Sequence, residues 1–205
     1  MSDNTDKKRL LKKVLLRIGI VLVALLVILG ALSLVSKVVG NTVIDFTEKQ
    51  DGIYYFPEDY DQNISEDLFY MTYDRAIYFT DPSGYCEKLT EETAEENKVK
   101  NLFLKYFEAL MSGDAAEHEK LLSEKYKEKF KVQQKFTPQK IYNISVSYMT
   151  TENDKDIYKV VYSIYENDGS YRADIGSNIS RIMAFTIDKS SNEALIDSIG
   201  YITEK

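Results

Sequence analysis

The spacing of apolar residues changes character several times along the 205-residue chain. Between residues 14 and 36 it is nearly continuous: Ile18 to Val35 contains no charged side chain, and most positions are Val, Leu, Ile or Ala. Such a run approaches the ~20 residues needed to cross the core of a bilayer. Residues 37–50 are polar and mixed in charge, with only isolated apolar side chains, the pattern of a stalk. Residues 51–90 interleave aromatic and acidic side chains, then lead through Arg75 to Thr80 into Asp81-Pro82-Ser83-Gly84. Pro at the second place and Gly at the fourth have the chemistry of a type I turn, so a short hairpin returning through Tyr85 to Leu89 is predicted.

From residue 91 the period becomes helical. Val99, Leu102, Phe103, Tyr106, Phe107, Leu110 and Met111 form one broad apolar stripe, which predicts a helix packed on a core. Thr93 with Glu96 offers a capping box for its start, Thr90 an earlier cap, and Gly113 a stop. Asp114 with Glu117 opens a second helix at once, with Leu121 and Leu122 facing inward, and Ser123 begins a third that carries Tyr126 and Phe130. After Pro138 the period falls to two. Tyr142, Ile144, Val146 and Tyr148 alternate with Asn143, Ser145 and Ser147, predicting a half-buried strand. A polar turn at 151–156, a strand from Ile157 to Glu166 and a turn at Asn167-Asp168-Gly169 follow. Strands at Ile179–Ile187 and Ala194–Ile202 complete an antiparallel meander. Helices first and strands afterwards predict an α+β domain over 91–205, its helices covering one face of a curved antiparallel sheet.

Charge gives the apolar run a direction. Lys7, Lys8, Arg9, Lys12, Lys13 and Arg17 stand against Asp3 and Asp6, so residues 1–36 carry +4. The rest of the chain holds 20 basic and 31 acidic residues, a net −11 within an overall −7. The positive-inside bias then predicts a basic cytoplasmic tail at 1–13, a single transmembrane helix at 14–36 and an extracytoplasmic remainder at the cell membrane. A cleaved signal peptide is the competing reading, with Ala31-Leu32-Ser33 as a small-x-small site, although its apolar stretch is normally only ~7–15 residues. An external surface of net −11 argues against nucleic acid as a partner, because phosphate contacts require cations.

Two to three helices with a Ser112-Gly113-Asp114 joint, followed by four long strands, resemble the nuclear transport factor two-like superfamily. The resemblance covers roughly residues 91–203 and implies a cone-shaped fold, with helices packed into the concave face of a strongly bent sheet. A cystatin-like arrangement shares the same helix-then-meander order. Within the superfamily, a basic tail, one span and an extracytoplasmic domain are similar to the inner-membrane scaffold components of type IV secretion and conjugation machines. That similarity implies an interaction or scaffold domain with a protein partner or homo-oligomer, and no enzymatic activity. Many members use the pocket between helices and sheet for small molecules, which implies a ligand-binding or sensing module as the alternative.

Candidate chemistry is sparse. Cys86 is the only cysteine, which excludes an intramolecular disulfide and predicts a thiol packed within a strand. His118 is the only histidine, and Asp114 lies four residues before it, on the same helical face. Asp114 is already accounted for as a helix cap, and the run Glu117-His118-Glu119-Lys120 predicts a solvated ring. No Cys/His cluster suggests a metal and no motif suggests a cofactor; Glu91-Glu92 with Glu95-Glu96 reads as favourable charge at a helix start. The sixteen tyrosines offer more. Tyr106, Phe107, Tyr158, Tyr162 and Tyr165, with Tyr171 nearby, are candidates for an aromatic pocket or interface, since Tyr is enriched at recognition surfaces. The plainer account is that Tyr suits strands. Binding is expected rather than catalysis.

Overall fold

A computed structural model of the chain describes residues 54–202. The tail, apolar run and stalk at 1–13, 14–36 and 37–50 lie outside the described residues, and no helix among those described is long and apolar enough to cross a membrane. The described part is α+β, with one six-stranded sheet and four α-helices.

Helices begin where the sequence supplies caps. α1 (Glu91–Glu95) starts at Thr90, whose side chain accepts from the Thr93 N–H while the Thr93 hydroxyl accepts from the Thr90 N–H. α2 (Lys98–Ser112) starts at Asn97, whose Oδ1 accepts from the N–H groups of Val99 at 2.8 Å and Lys100 at 3.4 Å. The single helix expected here is therefore two, because the Asn97 amide oxygen competes for the backbone and restarts it. The expected stripe holds along α2: Val99, Leu102, Phe103, Tyr106, Phe107 and Leu110 are all buried. Gly113 ends α2 in the left-handed region at φ 71°. A Cβ at Gly113 would sit 3.0 Å from Pro138 Cδ, so both backbone and packing demand glycine. α3 (Ala115–Lys120) and α4 (Glu124–Lys129) begin at Asp114 and Ser123, whose side chains accept from Glu117 N–H and Tyr126 N–H.

The strands are β1 (Ile77–Thr80), β2 (Cys86–Lys88), β3 (Ile141–Glu152), β4 (Lys155–Ile164), β5 (Arg181–Asp188) and β6 (Leu195–Tyr201), in the spatial order β2-β1-β3-β4-β5-β6. β3 to β6 form the antiparallel meander. The turn between β3 and β4 is tighter than expected, with Asn153 and Asp154 at φ 50° and 64°, the positive values a type I′ hairpin requires. The sheet as a whole is mixed rather than antiparallel. β1 pairs parallel with β3, setting Ile77 opposite Ile144 and Phe79 opposite Val146, through a crossover that contains the four helices. Cys86 is exposed, not the buried thiol expected, because β2 is a three-residue strand at the sheet's edge.

β3 breaks its predicted alternation at Asn143, which has φ 53° where the register against β4 slips. One extra residue reverses the side-chain parity. Ile141 therefore joins Ile144 and Val146 in the core, while Tyr142 stacks on Tyr73 with ring centroids 4.4 Å apart. In the core itself α2 meets β4 and β5: Phe103 lies edge-on to Tyr158, Tyr106 to Phe185 and Phe107 to Tyr162.

Residues 54–76 form a strap that docks by backbone and side-chain bonds. Phe56 N–H reaches Asn167 O at 3.3 Å, and Asp74 O accepts from Asn143 N–H at 2.8 Å. The buried Tyr70 donates its hydroxyl to Ile141 O at 2.8 Å. Lys140, also buried, joins Asp67 of the strap at 2.6 Å to Glu166 beyond β4 at 2.9 Å. A buried ammonium is tolerable only when paired in this way.

Candidate functional site

A cavity of about 270 Å³ opens where α3, α4 and the segment after α4 face β6 and the β4–β5 loop. Leu122, Tyr126, Phe130, Val132 and Ile199 give it apolar walls; His118, Tyr171 and Arg172 supply polar groups, and Lys131 and Gln133 line it as well. Ligand pockets typically run from ~300 Å³ upward, so this one suits a molecule of about one ring.

His118 reaches the cavity because Asp114 starts α3 there. The Asp114 carboxylate accepts from Glu117 N–H at 2.9 Å, fixing the first turn. His118 then falls on the side of α3 that leads into Leu121 and Leu122. Its side chain is not solvated as expected: the residue is 4 % exposed, with ring centroids 5.4 Å from Tyr106, 5.7 Å from Phe136 and 5.3 Å from Tyr171. Burial pushes its pKa down to about 4, so the ring is neutral at ordinary pH. Nε2 lies 3.2 Å from Tyr171 Oη, which lies 2.6 Å from Tyr106 Oη. Nδ1 is buried and has no hydrogen-bond partner among the described residues. No side-chain bond joins Asp114 and His118 among the described residues, although the two share a helical face.

Tyr171 and Arg172 sit on irregular backbone, held by one side chain. Asn167, fully buried, donates from Nδ2 to Arg172 O at 2.8 Å and Ile175 O at 2.6 Å, while its Oδ1 accepts from Gly169 N–H at 2.9 Å. These bonds replace the ladder that a strand would have supplied. Arg172 makes a two-pronged pair with Asp174, Nε to Oδ1 and Nη2 to Oδ2 both at 2.7 Å, and Nη2 also donates to Tyr201 Oη at 2.7 Å. Burial opposes its charge, but the Asp174 carboxylate outweighs that cost and raises the guanidinium pKa.

The five aromatic residues singled out from the sequence do not line one pocket together, although Tyr106, Phe107 and Tyr162 pack ring against ring. Tyr106 joins the hydroxyl chain behind the cavity, while Phe107, Tyr158 and Tyr162 are core residues. Tyr162 is fully buried, and its hydroxyl has no partner among the described residues. Tyr165 lies elsewhere, its ring 5.5 Å from Tyr73 and 5.4 Å from the Lys140 ammonium. Tyr171, singled out with them, does line the cavity. His118 and Arg172 were missed as pocket residues. For His118 the available signal was its three- and four-residue spacing to Leu121 and Leu122; Arg172 had none.

Two other features stand outside this cavity. Under the strap is a smaller space of about 40 Å³, bordered by Asp59, Gln139, Lys140, Glu166 and Asp168. No group of three or more His, Cys, Asp or Glu side chains among the described residues is placed to hold a metal ion. On the strap's outer side Leu68 and Phe69 are 80 % and 77 % exposed. Comparison of the chain with protein-family models, curated proteins and solved structures finds no match.

Proposed function

We propose that the chain is a membrane-anchored binding module. In this reading a basic cytoplasmic tail and a transmembrane helix at 14–36 display an extracytoplasmic α+β domain of nuclear transport factor two-like design. The cavity between its helices and sheet holds a small molecule. The carrying observation is His118: a buried imidazole lining a cavity of about 270 Å³, with a ring nitrogen that finds no partner among the described residues. Leaving a buried polar atom unpaired costs ~1–3 kcal/mol, and such atoms in native proteins call for a reason. A ligand that pairs with Nδ1 supplies one. The order of helices before a meander, with a cavity between the two layers, supports the superfamily reading. A general base works best with a pKa near the working pH. An imidazole held near 4 is a weak base at neutral pH, which supports binding over catalysis.

The test is a thermal-shift screen of single-ring and short-chain compounds against the full chain in non-ionic detergent. Val132→Trp, which fills the cavity, serves as the control. A compound that raises Tm in the wild type but not in the filled variant is the expected result, because a ligand of the folded state stabilises it. If no compound raises Tm, or the filled variant responds equally, the reading is lost.

Exposed Leu68 and Phe69 favour a second reading, an interaction or scaffold domain that assembles with a protein partner or a second copy through the strap. Crosslinking in native membranes should then capture a partner or homo-oligomer, and Leu68→Ser with Phe69→Ser should abolish that product. An unchanged product removes the strap from the interface.

A further inference from the structure

Resting on the small-molecule reading above, we infer that the ligand is a small oxyanion with an apolar body, a carboxylate in its simplest form, its charged end turned toward His118 and Arg172. The sign of the cavity is the first argument. Residues 37–205 are strongly acidic, at net −11, yet the charged side chains lining the cavity are Lys131 and Arg172, and no Asp or Glu lines it among the described residues. Asp174 offsets part of the Arg172 charge, and Lys131 lines the cavity as a further positive charge. A cationic ligand would meet two like charges there.

The second argument comes from proton counting along the hydroxyl chain. Tyr106, Tyr171 and His118 are linked at 2.6 Å and 3.2 Å, and the links run in one of two directions. If Tyr106 donates to Tyr171 and Tyr171 donates to Nε2, both hydroxyl protons are used and Nδ1 carries the imidazole proton. In the reverse direction Nε2–H donates to Tyr171, Tyr171 donates to Tyr106, and two buried groups are left unmatched, the Tyr106 proton and the Nδ1 lone pair, against one, the Nδ1–H, in the first. Unmatched buried groups are costly, so the first direction is favoured and sets the tautomer. His118, a residue that lines the cavity, then carries a buried, unpartnered N–H on Nδ1, and its natural complement is an acceptor.

Arg172 adds to this set. Its Nε and Nη2 hydrogens are taken by Asp174 and Tyr201, whereas Nη1 meets only the Met183 sulfur at 3.8 Å. A thioether is a weak acceptor, so the Nη1 hydrogens remain available to an oxygen. Donor-bearing residues, His118 and Arg172, beside apolar walls match a molecule with an acidic end and a ring or short chain.

The test uses the full chain in non-ionic detergent and isothermal titration with phenylacetate, octanoate, phenylacetamide, phenethylamine and ethylbenzene. Phenylacetate or octanoate should bind at least about tenfold more tightly than the neutral amide, the value of one charge-assisted bond. Whichever of the two is preferred tells a ring acid from an acyl chain, and phenethylamine should not bind. His118→Phe should weaken the acid about tenfold. Lys131→Glu, an exposed change that leaves the fold alone, should weaken it as well. Equal binding of the amide or the amine overturns the oxyanion inference but leaves the binding reading standing. Binding of ethylbenzene alone does the same. If none of the five binds, or if Val132→Trp leaves acid binding unchanged, both fail.

Discussion

Lowering the pH from 7.5 to 4.5 should destabilise the folded chain through one residue. His118 is the sole histidine, and burial holds its pKa near 4 against an ordinary 6.5. Between those values the unfolded chain takes up a proton that the folded chain refuses. Stability therefore rises with pH across this window; it is fully present above 6.5 and is lost as pH falls toward 4. The difference is about 2.5 pKa units, or about 3 kcal/mol when fully expressed, a sizeable share of a typical 5–15 kcal/mol. At pH 4.5 most of that loss should already be visible. Other groups intrude little in this range: Asp188, Asp67 and Asp197 all have lowered pKa values and lose their contribution only in more acidic solution. Glu108 is raised, mainly by burial, and works in the opposite direction. The clean quantity is the difference between wild type and His118→Phe, which keeps an aromatic ring against Tyr106 and Phe136 but cannot titrate. Urea unfolding in non-ionic detergent, followed by circular dichroism at pH 7.5, 6.0 and 4.5, gives both curves. The variant should gain about 2–3 kcal/mol on the wild type between the two ends of the series. Parallel curves would mean that the ring is solvated or paired with an acid in solution, and the account of the cavity would fall with it.

Four other outcomes are expected. Phe103→Ala or Phe107→Ala should cost about 3–5 kcal/mol in the same unfolding assay, the usual price of truncating a buried Phe, and losses below about 1 kcal/mol at both would remove the α2 stripe from the core. Asn167→Ala should cost about 2–4 kcal/mol by orphaning buried carbonyls in the β4–β5 loop, and should also lower phenylacetate affinity; a neutral change would mean the loop holds itself. Tyr55→Ala should reduce phenylacetate affinity although Tyr55 does not line the cavity, because its ring covers Gly169 and its hydroxyl donates to Ala173 O; unchanged affinity would make strap and cavity independent. Protease outside intact cells should remove a C-terminal tag and spare the first ten residues, and a protected C-terminal tag would reverse the orientation.

The parts of the fold that were legible in the sequence are those written in local period. The α2 stripe repeats with every turn, and the caps at Thr90, Asp114 and Ser123 each act on backbone within three residues of themselves. Period two also finds β3, but only beyond Asn143. That residue adopts a positive φ and shifts every earlier side chain by one, so Tyr142 was placed on the wrong face. Asn97 hid its cap inside a polar run, where helix and break look alike. Pairing of β1 with β3 was not legible, since a parallel neighbour brought through a long crossover leaves no mark on either strand's pattern. The cavity suffered most. His118 stands between two glutamates, and only its relation to Leu121 and Leu122 betrays that it turns inward. Tyr171 and Arg172 follow no period at all: their positions depend on the Asn167 amide, three bonds made by one side chain.

That dependence ties the two candidate binding features to one piece of chain. The β4–β5 loop contributes Tyr171 and Arg172 to the cavity. The same loop receives the strap, through Phe56 N–H to Asn167 O at 3.3 Å and Ser177 Oγ to Tyr54 O at 2.9 Å. Asn167 belongs to both sets of contacts, because its backbone oxygen holds the strap while its side chain holds the carbonyls of Arg172 and Ile175. A small molecule that fixes Arg172 acts on the loop that the strap leans on. A partner that grips Leu68 and Phe69 acts on the strap that leans on the loop. If the two sites are coupled, linkage makes the coupling reciprocal: whatever factor the acid imposes on partner affinity, the partner imposes on the acid. Scaffold and ligand-binding module are then two uses of one loop rather than rival functions. The discriminating quantity is the change in crosslinked product when phenylacetate is added, because independent sites predict none.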